Sequence, residues 1–166
     1  IKRARAATRV ISILRENLSH SRFAGEAAAS GEDKWLCQYE KVLAASFPEN
    51  GMTHASRVWI RWEKWAGQNA CLMPISTTAP TAVAMSMWLE DVAKGGHTAA
   101  KSVIDGLKLV SLNMGFDKLP IDSPLMRGTT VTHPDRPLKQ AEELPIKVWR
   151  QYSVMAEGGQ GTIRLL

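Results

Sequence analysis

Several features that would point to a particular class of protein are rare or missing in this sequence. Only two cysteines occur, at positions 37 and 71, and neither belongs to a CxxC pair or a Cys/His cluster with zinc spacing. We expect Cys37 and Cys71 to be small buried side chains, and this cysteine usage favours an intracellular, reducing compartment. No apolar run approaches the ~18–20 residues that a membrane span needs, so no membrane partner is predicted.

Motifs for catalysis, cofactors and metals are also absent from the chain. It contains no GxSxG and no phosphate-binding GxxxxGK[ST] or GxGxxG. The four histidines, His20, His54, His97 and His133, are scattered singly, as surface or helix-terminal histidines usually are. The acidic pairs are adjacent along the chain rather than placed on one helix face. We therefore expect no metal site, no small-molecule cofactor and no enzymatic activity in this chain.

Proline and glycine are too scarce for a disordered or collagen-like chain, at 20 of 166 residues. Apolar residues make up 45% and charged residues 22% of the chain, as in a globular protein. The net charge is +5, and residues 1–31 hold six basic against two acidic groups. The positive excess therefore lies almost wholly at the N-terminus, which permits nucleic acid as a partner without requiring it.

Apolar spacing predicts helices and almost no strand, so the fold class is all-α. A helix from about residue 33 ends at a turn over 47–51, and further helices are predicted over 54–69, 80–94 and 98–114. Thr53 and Thr98 are the expected N-caps, and Pro80 lies near the first turn of its helix. The side chains predicted to face inward from the helix over 80–94 are Val83, Ala84, Met87, Trp88 and Val92.

The organisation predicted from these elements has four parts. Residues 1–31 form a basic N-terminal arm that contains a short apolar helical stripe, and residues 32–118 form a helical domain. Residues 119–140 are rich in proline and are expected to be a mostly irregular linker. Residues 141–166 begin a further domain with a helix led by two glutamates. Because the chain starts at Ile1 and stops within an apolar stretch, we expect it to be a piece of a longer protein.

The helix predicted over 54–69 carries two contrasting faces. Trp59, Trp62 and Trp65 lie on one stripe and are most simply explained as core, because each ring buries a large area. The opposite stripe carries cations at i, i+4 and i+7, followed by a glutamine: Arg57, Arg61, Lys64 and Gln68. Taken alone, this basic stripe is more often a solvated helix face than a phosphate-binding surface.

The order of the segments after these helices is distinctive. Asp122–Leu125 is followed by a basic linker that contains proline, and by Arg136–Leu138 before the helix led by glutamates. Together with Trp62 and Trp65 in the second helix and His97–Val103 at the start of the fourth, this order resembles the core-binding domain of tyrosine recombinases. The likeness to these phage-integrase-like enzymes covers about residues 33–157, and it is closest to divergent eukaryotic members in mobile elements.

The resemblance implies a four-helix, SAM-like core-binding domain that clamps double-stranded DNA together with a catalytic domain, of which only the first helix would be present. Helices two and four would face the major groove and its flanking phosphates, and the linker would cross the DNA backbone. Carried over to this sequence, the implied DNA-binding residues are Arg57, Arg61 and Lys64 on helix two, His97, Thr98, Lys101 and Lys108 on helix four, and Arg136 and Lys139 in the linker.

The catalytic residues of that family have no counterpart here. The family uses an Arg, a Lys, a His-x-x-Arg and a nucleophilic Tyr in the catalytic domain, and neither Arg164 nor Tyr152 stands in the matching context. We therefore expect DNA binding without cleavage, within a parent protein that is a site-specific recombinase acting in DNA recombination and integration. The implied partners are double-stranded DNA and other recombinase protomers on it, in an intracellular setting that is nuclear for a eukaryotic source.

Two alternatives remain open from the sequence. The chain is a helical protein-interaction domain if the Trp59, Trp62 and Trp65 stripe is exposed and docks a partner helix. It is otherwise an inactive remnant of a mobile element. Burial of the three rings separates the interaction domain from the DNA-binding module, because buried rings leave only the basic face outward.

Overall fold

The described part of the protein is built from helices. The computed structural model describes residues 1–71, 75–96 and 98–129. In chain order the helices are α1 (Lys2–Glu16), a short 3-10 helix (Leu18–His20), α2 (Ala24–Ser30), α3 (Glu32–Ser46), α4 (Glu49–Asn69), α5 (Ala82–Ala93), α6 (Ala99–Met114) and α7 (Pro124–Gly128). No strand occurs within these residues, and the prediction of an all-α fold is confirmed.

The longest helix, α4, packs against both α1 and α6. It begins at Glu49 rather than after Thr53, so the predicted Thr53 cap is wrong. The reason is Pro48, whose extended backbone occupies the N-cap position and whose ring keeps the preceding Phe47 out of helical geometry. A single Phe-Pro step therefore ends α3 and starts α4, with no room for a longer turn.

The tryptophans of α4 form the centre of the core. Trp59 and Trp62 are fully buried, at 0% exposure. The Trp59 ring lies 4.7 Å from the ring of Phe116, and the Trp62 ring lies 5.2 Å from the ring of Trp88 on α5. The prediction of an inward aromatic stripe is confirmed for these two rings, whereas Trp65 is only partly buried.

Helix α1 belongs to the same core as α3 and α4. Its contacts with α3 run antiparallel, since Arg15 lies 3.4 Å from Asp33 and the Thr8 hydroxyl donates to Glu40 over 2.6 Å. The apolar stripe predicted within the N-terminal arm is buried, together with one further side chain: Ala6, Ala7, Val10, Ile11, Ile13 and Leu14. The segment expected to be an arm thus supplies one wall of the bundle.

Helix α5 differs from its prediction in both start and orientation. It starts at Ala82, where the Thr81 hydroxyl accepts a 3.2 Å hydrogen bond from the Ala84 N–H, rather than near Pro80. Val83 and Met87 were expected to face inward but are 55% and 42% exposed. Because α5 is apolar on nearly every side, its periodicity does not select the face that packs.

Helix α6 lies against α4 at a point where a side chain would not fit. A Cβ atom on Gly106 would stand 2.5 Å from Val58 Cγ2 and 3.0 Å from His54 Nε2. The helix ends at Met114 and is followed by Gly115, whose φ of +69° is left-handed, as is common for a glycine at a helix C-terminus. Thr98 occupies the N-cap position as predicted, but its side chain makes no capping hydrogen bond.

The beginning of the predicted linker is part of the bundle. Leu119 and Met126 are buried, and α7 packs against α5. Ser123 caps α7 by accepting a 3.3 Å hydrogen bond from the Met126 N–H. The remainder of the predicted linker, and the helix expected after it, lie outside the described residues.

The two cysteines are exposed, so the prediction that they are buried is wrong. The buried residues of α3 are Leu36 and Leu43, whereas Cys37 lies on an exposed side of this helix. Cys71 follows the end of α4.

Candidate functional site

The cations of α4 lie on the face opposite its buried tryptophans. Arg57, Arg61 and Lys64 are all exposed, and their spacing places them on one stripe of ~10 Å along the helix axis. None of them forms a hydrogen bond or an ion pair with any residue that the structure describes. Their positive charge is therefore directed to solvent without a neutralising partner among those residues.

Arg57 and Arg61 of this stripe border a groove between α4 and α6. The groove has a volume of about 580 Å³. Its lining consists of His54, Arg57, Val58, Ile60, Arg61, Thr98, Ala99, Ser102 and Val103. It combines two guanidinium groups with the N-terminal turn of α6, which contains no acidic residue. Both features favour a negatively charged ligand, because the N-terminus of a helix carries partial positive charge.

His54 is a groove residue that sequence reasoning treated as an isolated surface histidine. Its Nε2 donates to the Ser102 carbonyl over 2.9 Å and so joins α4 to α6. The two helices run antiparallel here, since Gly51 lies close to Leu109 while His54 and Val58 lie beside Gly106. His54 lies one turn before Val58, on the face of α4 that meets α6. The sequence does not show which face of α4 meets α6, so it could not place His54 at this contact.

The predicted DNA-binding residues of α6 fall into two places. Thr98 lies in the groove with Arg57 and Arg61. Lys101 and Lys108 border a separate depression of about 240 Å³ on another side of α6. Lys108 lies 3.6 Å from Asp105 on its own helix, which reduces its free charge. The structure thus brings Thr98 to the arginines of α4 but separates the two lysines from them.

Three of the predicted site residues, His97, Arg136 and Lys139, lie outside the described residues. Their relation to the groove therefore stays a prediction.

The acidic side chain nearest to the stripe along α4 points away from it. Glu63 is half-buried next to α1. Burial raises the pKa of its carboxyl, the nearby Trp59 indole N–H lowers it, and the charge of Glu16 raises it further. Trp59 Nε1 is itself buried, and no described acceptor meets it with the distance and angle of a hydrogen bond. Glu63 therefore belongs to the α1–α4 contact and does not neutralise Arg57 or Arg61.

The third tryptophan of α4 is held by the protein's own residues. Trp65 stacks on Trp62 at a ring distance of 5.8 Å, and its Nε1 donates to Asp91 over 3.0 Å. The side-chain hydrogen bond from Lys94, followed by the one from Trp65, lowers the pKa of the Asp91 carboxyl. With Trp59 and Trp62 fully buried as well, the stripe offers little free surface for a partner helix.

No other chemical site emerges from the described ranges. They contain no group of three or more His, Cys, Asp or Glu side chains that could hold a metal ion. Within the same ranges, no helix is both long and apolar enough to cross a membrane.

Comparisons of the chain with protein-family models, curated proteins and solved structures found no match.

Proposed function

We propose that this chain is a DNA-binding helical module that holds duplex DNA through the basic stripe of α4. The observation that carries the proposal is the pairing of two opposite faces on one helix. Trp59 and Trp62 are fully buried, which fixes the rotation of α4 in the bundle. Arg57, Arg61 and Lys64 are consequently held outward, with no described residue to neutralise them.

Binding would be dominated by phosphate contacts. Each cation that neutralises a phosphate releases condensed counterions, which supplies affinity without reading the base sequence. The groove between α4 and α6 would accept a phosphate at Arg57, Arg61 and the N-terminal turn of α6. Side chains at the groove edge would add limited base selectivity.

We further propose that the bundle is a core-binding domain of the tyrosine-recombinase type. This identity is supported by the order of the helices, by the linker sequence and by the basic stripe of α4, which corresponds to the family's second helix. In that case the parent protein is a site-specific recombinase of a mobile element, and this chain binds DNA without cutting it. Its partners would then be double-stranded DNA and neighbouring recombinase protomers, in an intracellular compartment that is the nucleus for a eukaryotic source.

The test is the salt dependence of DNA binding in matched double variants. Arg57→Ala with Arg61→Ala removes two cations from the stripe. Lys34→Ala with Lys41→Ala removes the same charge from exposed positions on α3, on the side opposite Leu36 and Leu43. Fluorescence anisotropy with a labelled duplex gives log Kobs at several concentrations between ~50 and ~200 mM salt.

We expect the α4 double variant to flatten the slope of log Kobs against log[salt] by about 1–2, because each lost phosphate contact contributes roughly 0.9. The α3 double variant should keep the slope of the unmodified chain. An unchanged slope in the α4 variant would remove this helix from the interface. A chain that shows no DNA binding at all would favour the inactive-remnant alternative.

A further inference from the structure

Helix α1 carries its cations where they are unfavourable for the helix itself. Lys2, Arg3, Arg5 and Arg9 are exposed, and the first three of them lie in the first turn of α1, which has no acidic residue and no side-chain cap. Positive side chains near a helix N-terminus oppose the macrodipole and weaken the helix. The fold therefore gains nothing from these charges through the helix that carries them.

These cations also lack partners among the described residues. No ion pair or hydrogen bond involves the side chain of Lys2, Arg3, Arg5 or Arg9 within that part of the chain. By contrast, Arg15, at the favourable C-terminal end of α1, is paired with Asp33. The charges of these four cations are thus free to act on a partner.

The basic N-terminal part of α1 lies beside the part of α4 that leads to its basic stripe. The two helices pack together, and Glu63 of α4 is close enough to Glu16 and Asn17 to respond to them. Because α3 runs antiparallel to α1 and the chain turns into α4 at Pro48, α4 runs in the same direction as α1. With Glu16 beside Glu63, Arg9 is about level with the turn of α4 that precedes Arg57. Packed helices lie ~8–10 Å apart between axes, so exposed cations at these adjacent levels are within reach of one polyanion.

The rotation of α1 determines which cations reach solvent on that side. Its buried face contains Ala6, Val10 and Leu14 among others. Lys2, Arg5 and Arg9 are spaced i, i+3 and i+7, which places them together on one exposed stripe at the edge of the buried face.

We propose that the Lys2, Arg5 and Arg9 stripe of α1 is a second phosphate-binding surface, continuous with the α4 stripe, so that two neighbouring helices hold one DNA duplex. This inference rests on the proposed function. Duplex DNA carries one charge per ~1.7 Å of its axis, so helices ~8–10 Å apart can contact phosphates of the same duplex. A lipid surface fits less well, because the apolar face that a membrane-bound helix inserts is buried in this core.

The experiment compares three double variants of the full chain against one labelled duplex. Arg5→Ala with Arg9→Ala tests α1, Arg57→Ala with Arg61→Ala tests α4, and Lys34→Ala with Lys41→Ala is the control of equal charge on α3. For each variant the slope of log Kobs against log[salt] and the midpoint of thermal unfolding are measured.

The expected result has two parts. The α1 variant should flatten the salt slope by about 1–2, as the α4 variant does and the α3 variant does not. Its unfolding midpoint should not fall, because Arg5 opposes the helix dipole from the first turn and Arg9 is exposed without a described partner. A flatter slope without a loss of stability excludes damage to the fold as the cause.

The outcomes separate this inference from the proposed function. If the α4 variant flattens the slope while the α1 variant behaves like the control, the second surface is refuted and the proposed function stands. If neither variant differs from the control, the proposed function fails with it. A flatter slope accompanied by a lower unfolding midpoint in the α1 variant would assign the change to damage to the fold, which would also overturn the inference.

Discussion

The arginines of this protein differ in what surrounds each guanidinium group. Arg22 lies 3.1 Å from Asp117 and its guanidinium stands 4.9 Å from the centre of the Phe23 ring. Arg57 and Arg61 have no such partners within the described structure. Exposed ion pairs contribute only about 0–1 kcal/mol to stability, so leaving Arg57 and Arg61 unpaired costs the fold little. Local pairing therefore distinguishes the proposed DNA-binding surface better than the net charge of the chain does.

A single glycine sets the distance between α4 and α6, and we expect Gly106→Ala to destabilise the protein. The new Cβ would stand 2.5 Å from Val58 Cγ2, and a valine in a helix has essentially one χ1 rotamer, so the methyl group cannot turn away. Overpacking of this kind costs ~1–3 kcal/mol, which exceeds the ~0.5–1 kcal/mol gained from replacing a helical glycine. Urea unfolding should show a net loss of about 1–2 kcal/mol.

Gly67→Ala is the matched control for this prediction. Gly67 lies within α4 with no atom within 4 Å of a built Cβ, so the same substitution should stabilise the protein. Adding Val58→Ala to Gly106→Ala should restore part of the lost stability. If Gly106→Ala stabilises the protein as much as Gly67→Ala does, the close approach of α4 and α6 is not as described.

At the scale of the element, two threonines occupy N-cap positions but differ in what their hydroxyls do. Thr81 accepts a hydrogen bond from the Ala84 N–H at the start of α5, whereas Thr98 makes no capping bond at the start of α6. We expect Thr81→Ala to lower the free energy of unfolding by about 1 kcal/mol. Thr98→Ala should change it by less than ~0.5 kcal/mol.

Chemical denaturation of the two threonine variants checks this pair. Equal losses at both positions would mean that Thr98 caps α6 in solution. In that case its hydroxyl would be engaged with the helix and less available to a ligand in the groove.

The sequence predicts the helices of this fold well where apolar residues recur at helical spacing and leave a clear polar side. The stripe of α1 matches its prediction because this helix has one apolar side. The orientation of α5 could not be predicted, since apolar residues occur on nearly every side of this helix and its contacts with α4, α6 and α7 select the packed side. The start of α4 was misplaced because Gly51 and Asn50, read as turn residues, lie within the first helical turn after Pro48.

The candidate site was predictable in the same partial way. The outward position of Arg57, Arg61 and Lys64 follows from the opposite tryptophan stripe, which needs only the helical period. The division of the α6 residues between the groove and the second depression does not follow from the sequence. It depends on the close contact at Gly106, which fixes the side of α6 that faces α4.

At the scale of the whole molecule, the bundle presents cations on two helices that pack side by side. The core sets both rotations, because buried aromatic rings orient α4 and buried alanine, valine, isoleucine and leucine side chains orient α1. The charges then point outward as a consequence of packing. We propose that a core that fixes the rotations of two helices in this way provides a surface for a polyanion.

The salt dependence of duplex binding by the unmodified chain tests that claim most directly. Contacts from the three cations of α4 alone predict a slope of log Kobs against log[salt] of about −3, and the addition of the three on α1 brings it to about −5. A linear dependence with a slope in or beyond that range is the result we expect. A slope within ~0.5 of zero would mean that no phosphate is neutralised and would contradict the account.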